Sequence, residues 1–154
     1  GILPDGFDFT NNSIAGIHYS LVLHYLNAQE LDKALGKFYQ WLKPGGKLFI
    51  LCYSIYIREL VNTKFETEYA KRLKSGRKWP GYLEDFSEYS ADKFDATAFP
   101  MTLHFFDRNV LVPVFEKLGF TIESAEYIEG KTNGAVEDTW YDGREFISVI
   151  AKKL

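Results

Sequence analysis

Residues 11–53, NNSIAGIHYSLVLHYLNAQELDKALGKFYQWLKPGGKLFILCY, decide the fold of this chain. Within them, a short apolar run at 14–19 and an unbroken apolar run at 48–53 flank a segment with helical periodicity. Strands that are apolar on both faces and alternate with helices are typical of parallel sheets covered on both sides. Two such strands joined through a helix form a right-handed βαβ unit. The stretch therefore predicts an α/β fold.

The helix between these strands has a start and a stop signal. Asn27, followed three residues later by Glu30, is a capping pair that satisfies free amides at a helix start. Pro44-Gly45-Gly46 cannot continue a helix, and Lys43 suits the negative end of the helix dipole. The apolar residues between these signals form one stripe: Leu31, Ala34, Leu35, Phe38 and Leu42.

The same residues resemble the central segment of the class I S-adenosylmethionine-dependent methyltransferases, in the branch that modifies small molecules. In that family a strand ending in a pattern like SLVLHHL is followed by a helix and then by LKPGGxLFI. Here residues 20–26 read SLVLHYL and residues 42–50 read LKPGGKLFI. The similarity is close over 11–52 and looser over 106–120 and 145–152.

This resemblance implies a partial Rossmann-like methyltransferase sheet, flanked by helices, with parallel strands and an antiparallel last strand between its neighbours. No GxGxG cofactor loop occurs in the chain, which begins with Gly1 rather than Met. We therefore expect residues 1–154 to be the C-terminal part of a single methyltransferase domain. Either the first half was cut away or a natural short relative has lost it. An aromatic insertion over about 56–106 is expected to form a lid or pocket wall, or else plain packing.

The composition limits the remaining function classes. With 46% apolar and 17% aromatic residues, the chain is not disordered, and 154 residues suit one domain. The aromatic residues indicate either core packing or a pocket for a ring-containing substrate. A net charge of −3 without a long basic run recommends neither a nucleic-acid nor a membrane partner. The single cysteine, Cys52, and the absence of a visible signal peptide favour a reducing, cytoplasmic location.

The periodicity also outlines the second half of the chain. An i, i+4 ridge predicts a helix over 56–75, in which Glu68 pairs with Arg72. Further elements are predicted downstream: an extended piece at 101–106, a helix capped by Asp107 or Asn109 and ended by Gly119, a strand at 120–128, a turn at 130–134 and a strand at 145–151.

The candidate site follows from the rule that ligands of open α/β sheets bind beyond the carboxyl ends of the strands. With the resemblance, this rule predicts cofactor-binding residues at and just after one strand end: Tyr19, Ser20, Leu21 and His24. The resemblance alone implies an acidic cofactor-binding residue in the loop before that strand, either Asp5 or Asp8. Candidates for the substrate side are mainly aromatic: Tyr53, Tyr56, Trp79, Tyr82 and His104. A histidine base would have to be His18, His24 or His104, and for His18 and His24 the alternative is a packed side chain without a catalytic role. No metal cluster is evident.

The resemblance implies transfer of a methyl group from S-adenosylmethionine to a small-molecule nucleophile. Such an enzyme must hold donor and nucleophile about 3 Å apart, in line, in a water-poor site. Because the cofactor loop is absent, we expect the full-length protein to be the enzyme and this chain alone to be inactive. The alternative is a non-catalytic binding or assembly module. In either case a dimer partner or the missing N-terminal half is expected to cover the exposed edge of the sheet.

Overall fold

A computed structural model describes residues 5–89, 102–131 and 141–154. Its elements, in chain order, are β1 (Ile14–Ser20), α1 (Ala28–Trp41), β2 (Leu42–Tyr53), α2 (Lys64–Lys74), β3 (Tyr82–Leu83), β4 (Leu103–His104), α3 (Arg108–Lys117), β5 (Phe120–Ile128) and β6 (Phe146–Lys153). Short 3-10 turns lie at Leu23–Tyr25 and Phe86–Glu88. None of the described helices is long and apolar enough to cross a bilayer, and the cytoplasmic location stays a prediction.

The central sheet has the strand order β1-β2-β6-β5. Strands β1 and β2 are parallel, whereas β6 runs antiparallel to both β2 and β5. Three strands therefore share one direction, and the last strand of the chain lies between two of them in the opposite direction. This arrangement confirms the predicted α/β fold with a Rossmann-like methyltransferase sheet.

The start of α1 confirms the predicted capping pair. The Asn27 side chain accepts hydrogen bonds from the amides of Gln29 (2.9 Å) and Glu30 (3.0 Å). In return, the Glu30 carboxylate accepts the Asn27 amide at 3.0 Å. The predicted apolar stripe is buried, together with Trp41 at the helix end. Local capping and burial against the sheet thus agree on where this helix begins and which face it buries.

The end of α1 differs from the prediction. The helix stops at Trp41, so Leu42 already belongs to β2 and Lys43 is not in the last helical turn. The segment Pro44–Gly46 lies inside β2 as an irregularity: pairing with β1 is lost after Leu42 and resumes at Lys47. Two features explain this bulge, because proline has no amide hydrogen to donate and Gly45 adopts a φ of 78°.

The predicted helix over 56–75 is also wrong at its start. Helix α2 begins at Lys64, because the Thr63 side chain accepts a first-turn amide and caps the helix there. The predicted ridge is therefore only partly buried, and Leu73 is 47% exposed. Its expected ion pair is confirmed, since Arg72 and Glu68 lie 3.2 Å apart.

Most of the downstream elements agree with the sequence. Strand β5 has the predicted bounds, β4 lies in the predicted extended piece, and β6 begins one residue late. Asp107 caps α3 through the Asn109 amide at 2.8 Å, and Gly119 follows this helix with a φ of 100°. Most of the turn predicted at 130–134 lies outside the described residues.

The described residues form two hydrophobic cores. The larger one packs α1 and α3 against a single face of the sheet and contains Leu48, Ile50 and Cys52 of β2. Phe49, which alternates with them on the other face, is 37% exposed. The smaller core is formed by the insertion, from the following side chains: Ile57, Leu60, Phe65, Tyr69, Leu83, Phe86, Tyr89, Leu103 and Phe105.

The insertion is anchored to α1. The indole nitrogen of Trp79 donates to the Asp32 carboxylate at 2.7 Å, and Trp79 itself is buried in the larger core. The described part of the insertion is therefore packed. A lid function stays a prediction, because residues 90–101 lie outside the described ranges.

The capping pair predicts a measurable loss of stability in Asn27→Ala. We expect the free energy of unfolding to fall by about 1 kcal/mol, because two amides of the first turn lose their acceptor. Urea unfolding followed by circular dichroism measures this change. Gln29→Ala is the matched control, since only the Gln29 backbone takes part in the cap. Equal stability of the two variants would contradict this account of the helix start.

Candidate functional site

The carboxyl ends of β1 and β2 meet at one edge of the sheet. Ser20, the last residue of β1, pairs with Leu51, and the Leu21 amide donates to the Leu51 carbonyl at 2.7 Å. Strand β6 starts at the same edge, where Phe146 pairs with Tyr53. We call this region, formed by residues 20–25, 53–56, 127–128 and 144–146, the carboxyl edge. It is the part of an open α/β sheet at which ligands bind.

The backbone at the end of β1 is strained. Leu21 has a φ of 54°, in the left-handed region that leucine rarely adopts. Its side chain and those of Val22 and Tyr25 are 36%, 39% and 50% exposed. Strain of this kind persists where the surrounding structure imposes it, and it is concentrated at functional sites. The sequence had placed Leu21 at the site but gave no sign of this conformation.

His24 lies beside the exposed apolar rim that Leu21, Val22 and Tyr25 form. It is 3% exposed, and its ring lies 4.0 Å from the Tyr25 ring and 5.0 Å from the Tyr53 ring. Its buried Nδ1 has no hydrogen-bond partner among the described residues. Burial lowers the pKa of His24 to about 4. The imidazole is therefore neutral at pH 7, and its unprotonated nitrogen can accept a hydrogen bond, although burial makes it a weaker base than a free imidazole.

The other predicted cofactor residues are divided between the two faces of β1. His18 and Ser20 share one face, where His18 Nε2 lies 2.6 Å from the Ser20 hydroxyl. Tyr19 points the opposite way, toward α1, and its ring packs 5.1 Å from that of Phe38. It helps line an apolar cavity of about 330 Å³ beside β1. Asp5 is exposed and forms a 2.5 Å ion pair with Lys33.

Three predicted substrate-side residues come together in the insertion. The His104 ring stacks on Phe106 at 4.5 Å and meets Trp79 and Tyr82 edge-on at 5.3 and 5.6 Å. Trp79 and His104 are 3% and 1% exposed, so of the three only Tyr82 reaches the surface.

His104 is held neutral by its surroundings. Burial lowers its pKa to about 3, and the backbone of Leu26 opposes this shift only in part. Neither ring nitrogen makes a hydrogen bond of normal geometry within the described residues. His104 is thus enclosed among rings, away from the exposed rim that follows β1.

Tyr56 belongs to a second aromatic group, most of which the sequence analysis missed. Its ring meets the Tyr127 ring edge-on at 5.3 Å, and the Arg144 guanidinium lies 3.8 Å from the centre of the Tyr56 ring. The Tyr127 hydroxyl donates to Asp107 at 3.0 Å, and the Tyr69 hydroxyl donates to the same carboxylate at 3.3 Å. Burial, followed by the nearby Asp107 charge, raises the pKa of Tyr69, so this phenol stays neutral.

Glu145 organises the loops around this group. It is 1% exposed, and its carboxylate accepts four backbone amides at 2.7–2.9 Å, from Gly130, Tyr141, Asp142 and Gly143. Burial acts to raise the pKa of Glu145, but these hydrogen bonds outweigh it and hold the pKa below its ordinary value. An acid directly before an apolar strand was the available sequence signal. Among the described residues, no group of three or more His, Cys, Asp or Glu side chains is arranged to hold a metal.

The two buried histidines predict a loss of stability in mild acid. Their folded-state pKa values, about 4 for His24 and about 3 for His104, lie below the ordinary 6.5. The unfolded chain therefore binds protons first as the pH falls below about 6.5. At pH 5 we expect each histidine to cost about 2 kcal/mol relative to neutral pH.

Urea unfolding between about pH 7 and pH 4.5 tests this expectation. The double variant His24→Phe/His104→Phe should lose much less stability than the wild type over the same interval, because its rings cannot be protonated. The difference between the two curves is the quantity measured, since carboxylates contribute to both. Parallel curves would contradict the proposed origin of the acid sensitivity.

Comparison with known proteins supports the fold. No family model matches the chain. Over 40 residues, 26% of its length, the chain is 42% identical to phosphoethanolamine N-methyltransferase 1 of Triticum aestivum, of which that match spans 8%. A crystal structure of a methyltransferase from Methanosarcina mazei superposes on 97% of the chain with a TM-score of 0.60 and 18% identity.

A second solved structure matches in the same way. The 1,6-didemethyltoxoflavin-N1-methyltransferase of Burkholderia thailandensis, crystallised with 1,6-didemethyltoxoflavin and S-adenosylhomocysteine, superposes on 96% of the chain with a TM-score of 0.56 and 12% identity. The chain spans 63% of the Methanosarcina protein and 47% of the Burkholderia one. These matches confirm the resemblance seen in the sequence: the chain has the fold of the S-adenosylmethionine-dependent methyltransferases.

Proposed function

We propose that the complete protein transfers a methyl group from S-adenosylmethionine to a small-molecule nucleophile. In this proposal the present chain supplies the methionine side of the cofactor site and much of the acceptor side. The observation that carries it is the end of β1, where Leu21 is held in a strained conformation at the carboxyl edge of a methyltransferase sheet. A strained backbone at the position where such sheets bind ligands supports a binding role over plain packing.

The residues at the end of β1 suit the cofactor's methionine end. Leu21 and Val22 offer exposed apolar surface, the Ser20 hydroxyl offers a polar contact, and His24 carries a buried nitrogen without a partner in the described structure. We assign Asp5 to the adenine end as a proposal, on the resemblance. When bound, the cofactor supplies an activated methyl group. The protein therefore has to orient the acceptor and keep water out.

An amine or hydroxyl acceptor must also lose a proton, and His24 is the best-placed base among the three histidines. It is neutral at pH 7 because of its burial, and it borders the exposed rim of the carboxyl edge. His18 is exposed on the opposite side of β1 from Tyr19, whereas His104 is enclosed in the insertion.

The acceptor in this proposal is a small nitrogen compound. The wheat relative is named as an N-methyltransferase and the Burkholderia structure as an N1-methyltransferase. The aromatic side chains Tyr53, Tyr56 and Tyr82 would line its site, with Trp79 and His104 behind Tyr82.

Calorimetric titration of the complete polypeptide with S-adenosylhomocysteine tests the proposed function. We expect one site per chain, weakened at least several-fold by Ser20→Ala together with His24→Phe, because both changes remove polar atoms next to the rim. His104→Phe is the matched control and should leave the affinity unchanged. Absence of binding heat at millimolar ligand would exclude the methyltransferase proposal.

The strain at Leu21 gives an independent prediction. Leu21→Gly should raise the free energy of unfolding by up to about 1 kcal/mol, because glycine adopts a positive φ without the penalty of a Cβ atom. The same change should weaken S-adenosylhomocysteine binding, since it loosens the backbone and removes apolar surface. Asn62→Gly, at a second positive φ of 60°, is the control and should leave binding unchanged. Stabilisation without any loss of affinity would show that the strain serves no ligand.

The alternative is a binding or assembly module that keeps the fold without catalysis. The observation in its favour is that β1 is an outer strand of the described sheet, and that Phe49, on the face opposite α1 and α3, is 37% exposed. Outer strands and apolar faces favour pairing with another surface, here a second copy or the upstream part of the protein. Sedimentation velocity of the complete protein separates these cases. A strict monomer that binds S-adenosylhomocysteine would leave only the enzyme.

A further inference from the structure

The closest cation–ring contact among the described residues lies at the carboxyl edge. The Arg144 guanidinium carbon is 3.8 Å from the centre of the Tyr56 ring, whereas the other such contacts span 4.5–5.9 Å. A cation over an aromatic face is attracted by the ring quadrupole, and the attraction increases as the pair loses water. The face of Tyr56 is therefore a cation site that one of the protein's own side chains occupies.

Hydrogen bonds of Ser54 join the two segments that carry Tyr56 and Arg144. Ser54 is fully buried, and its hydroxyl accepts the Tyr56 amide at 2.9 Å while it donates to the Arg144 carbonyl. The Ser54 amide donates to the Glu145 carbonyl at 2.8 Å. The segments that carry the ring and the guanidinium are thus fastened to each other, so the position of the Tyr56 face is fixed independently of where the Arg144 side chain points.

The Arg144 side chain itself is less firmly held. It is 44% exposed, and its Nε donates to Asp142 at 3.0 Å within an exposed ion pair. Ion pairs of this exposure are worth about 0–1 kcal/mol. Arg144 can therefore turn toward solvent, with or without Asp142, at a small cost. The ring that it leaves stays in place against Tyr127.

The charges around the ring favour a cation as the replacement. Arg144 and Arg108, which lies 5.5 Å from the Tyr127 ring, are balanced by Asp107 and Asp142, and Glu145 adds a further buried negative charge. When Arg144 turns away, the carboxylates outnumber the cations that remain. An anion would meet this negative excess, whereas an alkylammonium would take over both the ring contact and the charge balance.

We propose that the Tyr56 ring face binds the cationic end of the methyl acceptor, an amine carried as its ammonium, and that Arg144 occupies this face until the acceptor displaces it. That the bound amine is the methyl acceptor rests on the proposed function. The inference narrows the substrate class of that function to small amines. The cation site itself requires no cofactor. Because each added methyl group makes an ammonium less hydrated, the site should also hold N-methylated products.

Titration of the 154-residue chain with tetramethylammonium chloride tests the proposal, with tyrosine ring signals followed by NMR at constant chloride concentration. We expect Arg144→Gln to bind this ion about threefold to thirtyfold more tightly than the wild type, because the internal competitor is gone. Tyr56→Phe should retain binding, since it keeps the ring, and Tyr56→Leu should abolish it. The neutral isostere tert-butanol should bind none of these proteins measurably.

Arg108→Gln is the matched control, because it removes one positive charge beside the same aromatic group but leaves Arg144 on the Tyr56 face; it should tighten binding less than Arg144→Gln does. Thermal melts of every variant establish that it is folded, and the comparison of Arg144→Gln with wild type does not depend on the Tyr56 variants. Equal affinity of Arg144→Gln and wild type, or equal binding of tert-butanol, would overturn the cation site. Binding of tetramethylammonium without any binding of S-adenosylhomocysteine by the complete protein would instead remove the methyltransferase proposal and leave the cation site standing.

Discussion

The pairing of β2 on both of its sides is the constraint on which the rest of the structure depends. One side of β2 pairs in parallel with β1. The other side pairs antiparallel with β6, through seven residues of β2 from Lys47 to Tyr53. A shift of one residue in either register would turn the buried Leu48, Ile50 and Cys52 away from α1 and α3. The hydrophobic core therefore fixes the register, and the register fixes which strand ends meet at the carboxyl edge.

The candidate site is built directly on that register. Because β1 and β2 are parallel and adjacent, Leu21 follows one strand at the level where Leu51 can accept its amide. Two residues beyond Leu51 on the same strand comes Tyr53, and next to it Ser54, which ties β2 to the start of β6. The hydrogen bonds of Leu21 and Ser54 thus lie one residue beyond the last paired residues of β1 and β2. Side chains this close to a hydrogen-bonded sheet are held in well-defined positions, and the positioning of reactants requires such order.

The sequence predicted those features that local chemistry determines. Asn27 and Glu30 satisfy amides within one turn, so their pattern was sufficient, and the bounds of β5 followed from apolar runs between turn residues. The predictions from the sequence were wrong where two local signals competed. The i, i+4 ridge predicted a helix that begins at residue 56, but Thr63 caps α2, which begins eight residues later, at Lys64. The prediction of the α1 end failed for a related reason. Leu42 fits either the apolar stripe of the helix or a strand, and its pairing with Ile14 of β1 places it in the strand.

The site was harder to predict than the fold because its contacts join distant parts of the chain. Tyr56, Tyr127 and Arg144 form one cluster across three separate segments, and no spacing in the sequence relates them. His104 and Trp79 were predicted for the substrate side and do lie together, but the sequence could not show that both would be enclosed. Exposure depends on the packing of the whole insertion, so residue type alone cannot separate a packed ring from a binding one.

The residues at and beside the carboxyl edge divide into those whose polar groups are satisfied and those that carry an unmet cost, and this division bears on where the proposed ligand site lies. Asp107 and Glu145 are buried and accept hydrogen bonds from phenols or backbone amides. These hydrogen bonds stabilise the conformations of the loops. His24 Nδ1 is buried without a partner in the described structure, and Leu21 is strained, so both cost stability in the protein as it stands. Both nitrogens of His104 are unpartnered among the described residues too, but His104 is enclosed in the insertion, whereas Leu21 and His24 lie beside exposed apolar surface. In the proposed function, a ligand at the end of β1 would contact both positions and offset this cost.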